Sequence, residues 1–372
     1  MVIVPNDFTA LHFYRSLPCQ KKAGLFVWPS LNGSALNPEE IKAIQTYAPS
    51  GFVLFRRNLT SLFQAKKLID EVLKRTQEQR PLSVWSAEIM IDEEGGKVSR
   101  LPSPMIRGKD PADLVENVDA FVSQLLHQAF VAKGIGITGI LAPVCDILTN
   151  LENPVMKGRC YGSDWETVET FALLVHQVFR NQGLKSCAKH FPGHGNTSTD
   201  SHREFAKSDV NWETLWNREW KPFQALIKAQ VPYLMSAHVM IPEVDPQYPA
   251  TLSRTFMTKV LREQMGFQGV VLSDDLRMQA VAHAYGMKDL PTDSDIFEQT
   301  SFSSHSKYTY LPYAAVDSLK AGCDVILSCQ SIAEEEPIFN HIAHCIDTDA
   351  EFAKECETKF LRITRELQKR SA

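Results

Sequence analysis

Short apolar runs alternate with helical-period segments along almost the whole chain. Eight runs read as buried strands: 23–28, 51–56, 87–92, 137–143, 184–189, 232–238, 269–274 and 323–328. Helical periodicity fills 38–47, 60–77, 111–132, 164–181, 212–228 and 255–265. Asn37 followed by Pro38 predicts one helix start, and Ser163 or Asp164 another. Strand and helix alternating eight times predict an α/β protein with a closed parallel sheet, a (β/α)8 barrel of the TIM type in a single domain. An open doubly wound sheet would carry a glycine-rich turn after its first strand, and Trp28-Pro29-Ser30 has none. The expected boundaries are 1–22 for an N-terminal extension, 23–346 for the barrel and 347–372 for a charged helix packed outside it. A polar loop at 286–312 breaks the alternation, and loops of that length are usually functional or disordered.

Composition narrows the partners. Among 372 residues, 39 basic against 44 acidic side chains leave −5, which gives no basic footprint for nucleic acid. No apolar run approaches the roughly 18–20 residues of a membrane span. Residues 1–22 lack the pattern of a secretory leader, so a cytoplasmic location is expected. The eight cysteines include no C-x-x-C pair, which suits reduced thiols better than a zinc site or a disulfide framework.

In a barrel of this kind, chemistry gathers at the C-terminal strand ends. Asp92, Asp146, Lys189, His190, His238 and Asp274 all stand at or just after such ends. The stretch 189–205 also holds His194, Asp200 and His202. A carboxylate two residues from an imidazole can orient the ring and favour its protonated form, making His202 a candidate acid and base. The competing reading is a solvated loop with capping Asp and Ser. In 269–276, Asp275 is expected to cap the next helix, which leaves Asp274 as the free carboxylate. In 91–101, Gly95 and Gly96 allow a tight turn beside a ligand, Asp92 can take two sugar hydroxyls, and Arg100 can hold a hydroxyl-rich or anionic group. An ordinary turn and a surface ion pair would explain the same residues. His190 and His194 have the spacing of a helical metal pair, but Pro192 and two glycines oppose a helix there, so no metal and no cofactor is expected.

Taken together, KHFPGHG followed by DSH, GVVLSDDL, IDEEGGKVSRL, APVCDI, NPVMKGRCYGSD, MSAHVMIPEVDP and PATLS resemble the family 3 glycoside hydrolases. The resemblance is narrowest to their single-domain β-N-acetylhexosaminidase branch, which acts in peptidoglycan recycling, and it runs from about residue 23 to about 330. It implies a retaining exo-β-N-acetylglucosaminidase with Asp274 as nucleophile, His202 as acid and base, and Asp200 orienting His202. It implies that Asp92, Arg100, Arg159, Lys189 and His190 hold the sugar ring. The expected partner is an N-acetylglucosamine-containing glycan or muropeptide, acted on by a monomer. The family's Asp-Gln-Glu-Gly-Gly-Arg stands here as Asp92 to Lys97, and its Arg-Ser-Phe-Gly as Arg159 to Gly162; both keep the residues assigned to binding. Alternatives are a phosphorylase using the same dyad, a metal-dependent barrel hydrolase and a sugar-binding barrel without catalysis.

Overall fold

The computed structural model describes residues 7–80, 85–102, 108–197, 206–286 and 308–369. Its centre is a parallel sheet of eight strands: β1 (Val27–Ser30), β2 (Gly51–Leu54), β3 (Glu88–Ile91), β4 (Gly139–Ile140), β5 (Lys185–Phe191), β6 (Tyr233–Ser236), β7 (Val270–Asp275) and β8 (Val325–Ser331). They are ordered β1-β8-β7-β6-β5-β4-β3-β2. The two ends of that order meet: the Ser50 N–H, just before β2, donates to Gly24 O at 3.2 Å, and Trp28 of β1 donates to Ser50 Oγ at 2.7 Å. The sheet therefore curls into the expected barrel, with apolar residues buried on both sides of its strands as helix-covered parallel sheets require.

The helices begin where local chemistry allows. Asn37 accepts the Glu40 N–H at 2.8 Å while Glu40 accepts the Asn37 N–H at 3.1 Å, a reciprocal cap for Pro38–Tyr47. Ser61 caps Leu62–Glu78, and Asp164 caps Trp165–Asn181. Several spans differ from expectation. The first strand, expected over 23–28, starts only at Val27, because Ala23 and Gly24 close the helix Cys19–Gly24. The helix expected over 111–132 starts at Val118, capped by Asn117, after a single tight turn at Pro111–Asp113. The one expected over 212–228 is interrupted by a wide turn at Leu215–Glu219 before Lys221–Lys228, because Pro222 has no N–H to continue the ladder. The strand expected over 137–143 pairs fully only at Gly139–Ile140; Pro143 lacks a donor, and pairing with β5 resumes at Val144.

Before β1, the helix Asp7–Ser16 lies along the C-terminal helix Ala350–Gln368. Arg15 makes a two-pronged contact with Glu357 at 2.6 and 2.7 Å, Arg365 meets Asp7 at 2.5 Å, and Tyr14 stacks on Phe360 at 4.7 Å. All eight cysteines are unpaired, and six of them are buried. No helix among the described residues is long and apolar enough to cross a membrane.

Candidate active site

The C-terminal ends of β3, β5 and β7 point their polar residues toward one face. Asp92 follows β3, and Lys189 and His190 lie near the end of β5. The Lys189 ammonium donates to Asp92 Oδ1 at 2.7 Å and lies 2.6 Å from Glu94 Oε1. Glu94 also receives both prongs of Arg159, each at 2.8 Å. Arg159 Nη2 is 3.2 Å from His190 Nε2, and His190 Nδ1 is 2.7 Å from Asp146 Oδ2. This pair of contacts fits one tautomer, with Nδ1–H donating to Asp146 and Nε2 accepting from Arg159. Asp146 further accepts the backbone N–H groups of His190 and His194, at 3.1 and 2.6 Å. One network thus runs from Asp92 through Lys189, Glu94, Arg159 and His190 to Asp146.

The network is nearly dry: Lys189 is 1% exposed, and Glu94 and Asp146 are equally enclosed. Burial opposes charge on Glu94, but Arg159 and Lys189 hold its carboxyl well below the usual range. Burial likewise opposes charge on Lys189, and Asp92 and Glu94 carry its pKa above the ordinary lysine value. Burial works against Asp146 too, yet His190 and His194, with the hydrogen bonds they donate, bring it below the ordinary value. His194 itself is pushed down to about 4, first by burial, and is neutral near pH 7.

Asp274 stands one residue from the end of β7, half-buried, its Oδ1 accepting the Asp275 N–H at 2.8 Å. Asp275, expected to cap the next helix, instead shapes the turn before it. Its Oδ1 accepts the Arg277 N–H at 3.1 Å, and the next helix begins only at Gln279. His238 fixes this strand end, with Nε2 donating to Asp275 O at 3.0 Å. Asp92 and Asp274 share one electrostatic neighbourhood. Beyond the effect of burial, both carboxylates raise the pKa of the Cys187 thiol in β5 and of the Cys329 thiol in β8.

Arg100 sits beside this mouth, its guanidinium 5.8 Å from the Phe55 ring and its buried Nε without a hydrogen-bond partner among the described residues. Gly96 turns tightly, with φ of +55°, against protein rather than a ligand: a Cβ there would lie 1.7 Å from Asp110 Oδ1. Asp200 and His202 lie outside the described residues, as does 287–307 of the long polar loop. The segment that carries them leaves the end of β5 and is next described at Ala206–Lys207, which pairs with Val239–Met240 just beyond β6. Among the described residues no three His, Cys, Asp or Glu side chains form a metal-holding group.

Sequence reasoning passed over Glu94, although it joins both buried cations. The signal was available: in extended chain, Asp92 and Glu94 share a side while Glu93 faces the other way. Glu93 indeed turns inward to accept the N–H groups of Arg100 and Leu101 at 2.7 and 2.9 Å.

The glycosyl hydrolase family 3 N-terminal domain matches residues 20–365. A beta-hexosaminidase of Neisseria meningitidis serogroup C is 30% identical over 325 residues, covering 84% of this chain and 80% of that protein. One from Idiomarina loihiensis is 31% identical over 309 residues, covering 81% and 82%. Among solved structures, a family 3 beta-N-acetylglucosaminidase from a Paenibacillus species superposes with a TM-score of 0.80 at 28% identity; it covers 95% of this chain, which spans 63% of that longer one. The beta-N-acetylhexosaminidase of Beutenbergia cavernae has the same fold, with a TM-score of 0.80 at 21% identity over 95% of this chain and 99% of its own.

Proposed function

Because the chain belongs to family 3 of the glycosyl hydrolases, we propose that it is a retaining exo-β-N-acetylglucosaminidase with Asp274 as its nucleophile. The observation that carries this reading is the half-buried Asp274 carboxylate beside the Asp92 to Asp146 network at one barrel mouth. In the first step the Asp274 carboxylate attacks the anomeric carbon, and His202 gives its proton to the departing oxygen. In the second, His202 takes a proton from water, the water oxygen attacks the same carbon, and Asp274 leaves as a free carboxylate. Asp200 keeps the His202 ring aimed. Residues 23–346 act as the catalytic unit.

Charge balance supports a neutral sugar. Lys189 and Arg159 face three carboxylates, Asp92, Glu94 and Asp146; with Arg100 beside them these charges balance, and Asp274 makes the mouth negative. A negative mouth favours the oxocarbenium-like transition state and disfavours phosphate as the second-step acceptor. It leaves Asp92 and Arg100 to take ring hydroxyls. By the family resemblance we assign the substrate to N-acetylglucosamine-terminated cell-wall fragments, cleaved by a monomer in the cytoplasm.

Incubation with an aryl N-acetyl-β-glucosaminide and with the matching β-glucoside tests this. Cleavage of the first alone is expected; cleavage of the glucoside alone, or of neither, would end the reading. His202→Ala should lose roughly 10²–10⁴-fold on glycosides with poor leaving groups. An activated aryl glycoside should suffer less in the first step, as burst kinetics would report; equal losses on both would remove His202 from the acid role.

A further inference from the structure

At the opposite end of the barrel, near the starts of β7 and β8, lies a second cavity of about 330 Å³. Its walls come from Thr255–Gln264, the turn before β7, the end of Leu311–Ala321 and the C-terminal helix. Five cations line it: Arg254, Arg262, Lys320, Lys359 and Arg362. Four have carboxylate partners. Arg262 and Arg362 hold the buried Asp324 at 2.5 and 2.8 Å, Lys320 meets Asp349 at 3.0 Å, and Arg254 reaches Glu355 at 3.4 Å. The remaining acid on the lining, Glu263, is exposed to solvent.

Lys359 differs from the other four. It is 4% exposed, yet its ammonium has no hydrogen bond or ion pair with any described residue. Asp324 acts on it as an opposite charge, but that carboxylate is shared: its oxygens already accept from both arginines and from the Val271 N–H at 2.8 Å. A buried lysine whose counter-charge is shared with two arginines is only partly compensated, and a fold that keeps one in a cavity wall has left room for an anion.

We propose that this cavity binds the phosphate group of a small phosphorylated metabolite, with Lys359 as the central donor and Arg254 and Arg362 flanking it. The cations reach the space from two different walls, which suits a tetrahedral oxyanion better than a planar carboxylate. The volume falls in the range of small-molecule pockets and leaves room beyond the phosphate for the rest of the molecule. Burial lowers the Lys359 pKa against the opposing pull of Asp324, and a bound anion would raise it again.

Thermal melts of the full chain in sodium phosphate, sodium chloride and sodium acetate at matched ionic strength test the assignment. Phosphate should raise the melting temperature saturably, as a ligand of the folded state does, while chloride and acetate do not. Lys359→Met should weaken the phosphate effect by about tenfold or more, while leaving the ligand-free protein at least as stable as the parent. A purely structural lysine would instead lose stability when replaced. Arg254→Ala, at an exposed position, should fold normally and also weaken the phosphate effect. The proposal fails if phosphate acts no differently from chloride, or if acetate matches it. It fails equally if the phosphate effect survives in Arg254→Ala and in whichever Lys359 variant folds.

Discussion

Asp274→Asn should cut turnover of an aryl N-acetyl-β-glucosaminide by on the order of 10⁴-fold or more, with little change in stability. The substitution is nearly isosteric. Its side-chain oxygen can still accept the Asp275 N–H, so the end of β7 keeps its shape. What disappears is the negative oxygen that forms the bond to the anomeric carbon. Rapid quenching of the parent enzyme with substrate should also give a peptide containing Asp274 that is heavier by one N-acetylglucosaminyl unit. Activity within about tenfold of the parent, or the sugar on another residue, would remove Asp274 from this role.

Glu94→Ala should be the most damaging single change to stability at the mouth, lowering it by roughly 3–5 kcal/mol in urea unfolding. The carboxylate joins the buried Lys189 and the partly buried Arg159, and its removal leaves two cations with fewer partners. Glu94→Gln keeps the volume and one acceptor oxygen, so its loss should be smaller. The pH dependence has a definite sign. Arg159 and Lys189 depress the Glu94 pKa in the folded state. Its contribution is therefore complete above the ordinary glutamate value of about 4.3 and fades as pH falls toward the folded-state pKa. In Glu94→Ala that part of the acid sensitivity should vanish. A loss under about 1 kcal/mol would mean that water or a shifted side chain replaces the carboxylate.

The barrel was legible because its signals are local and repeated. Each of the eight apolar runs contains one of the eight strands or all but the last residues of one, and Asn37 and Asp164 cap helices as their chemistry suggests. Two of the errors fell where a backbone donor is missing, at Pro143 in the short β4 and at Pro222 in the broken helix. Within the site, Asp92, Lys189, His190 and Asp274 were readable because strand ends converge in a barrel. Arg159 was not. It lies in a turn region well past β4, and only the family resemblance pointed to it. Lys359 escaped notice for a different reason. A charged helix reads as an outer helix, but Lys359 belongs to the inward stripe with Phe352, Cys356, Phe360 and Ile363. Periodicity tells which face turns inward, and it carries no warning that a cation has been placed there.

Burial first, and then nearby acids, raise the pKa of the Cys187 and Cys329 thiols, with Lys189 opposing the acids at Cys187. Peroxide and alkylating agents attack the thiolate, so both cysteines should react slowly with them. The acids proposed to favour a developing positive sugar would thus also shield these two thiols from oxidation.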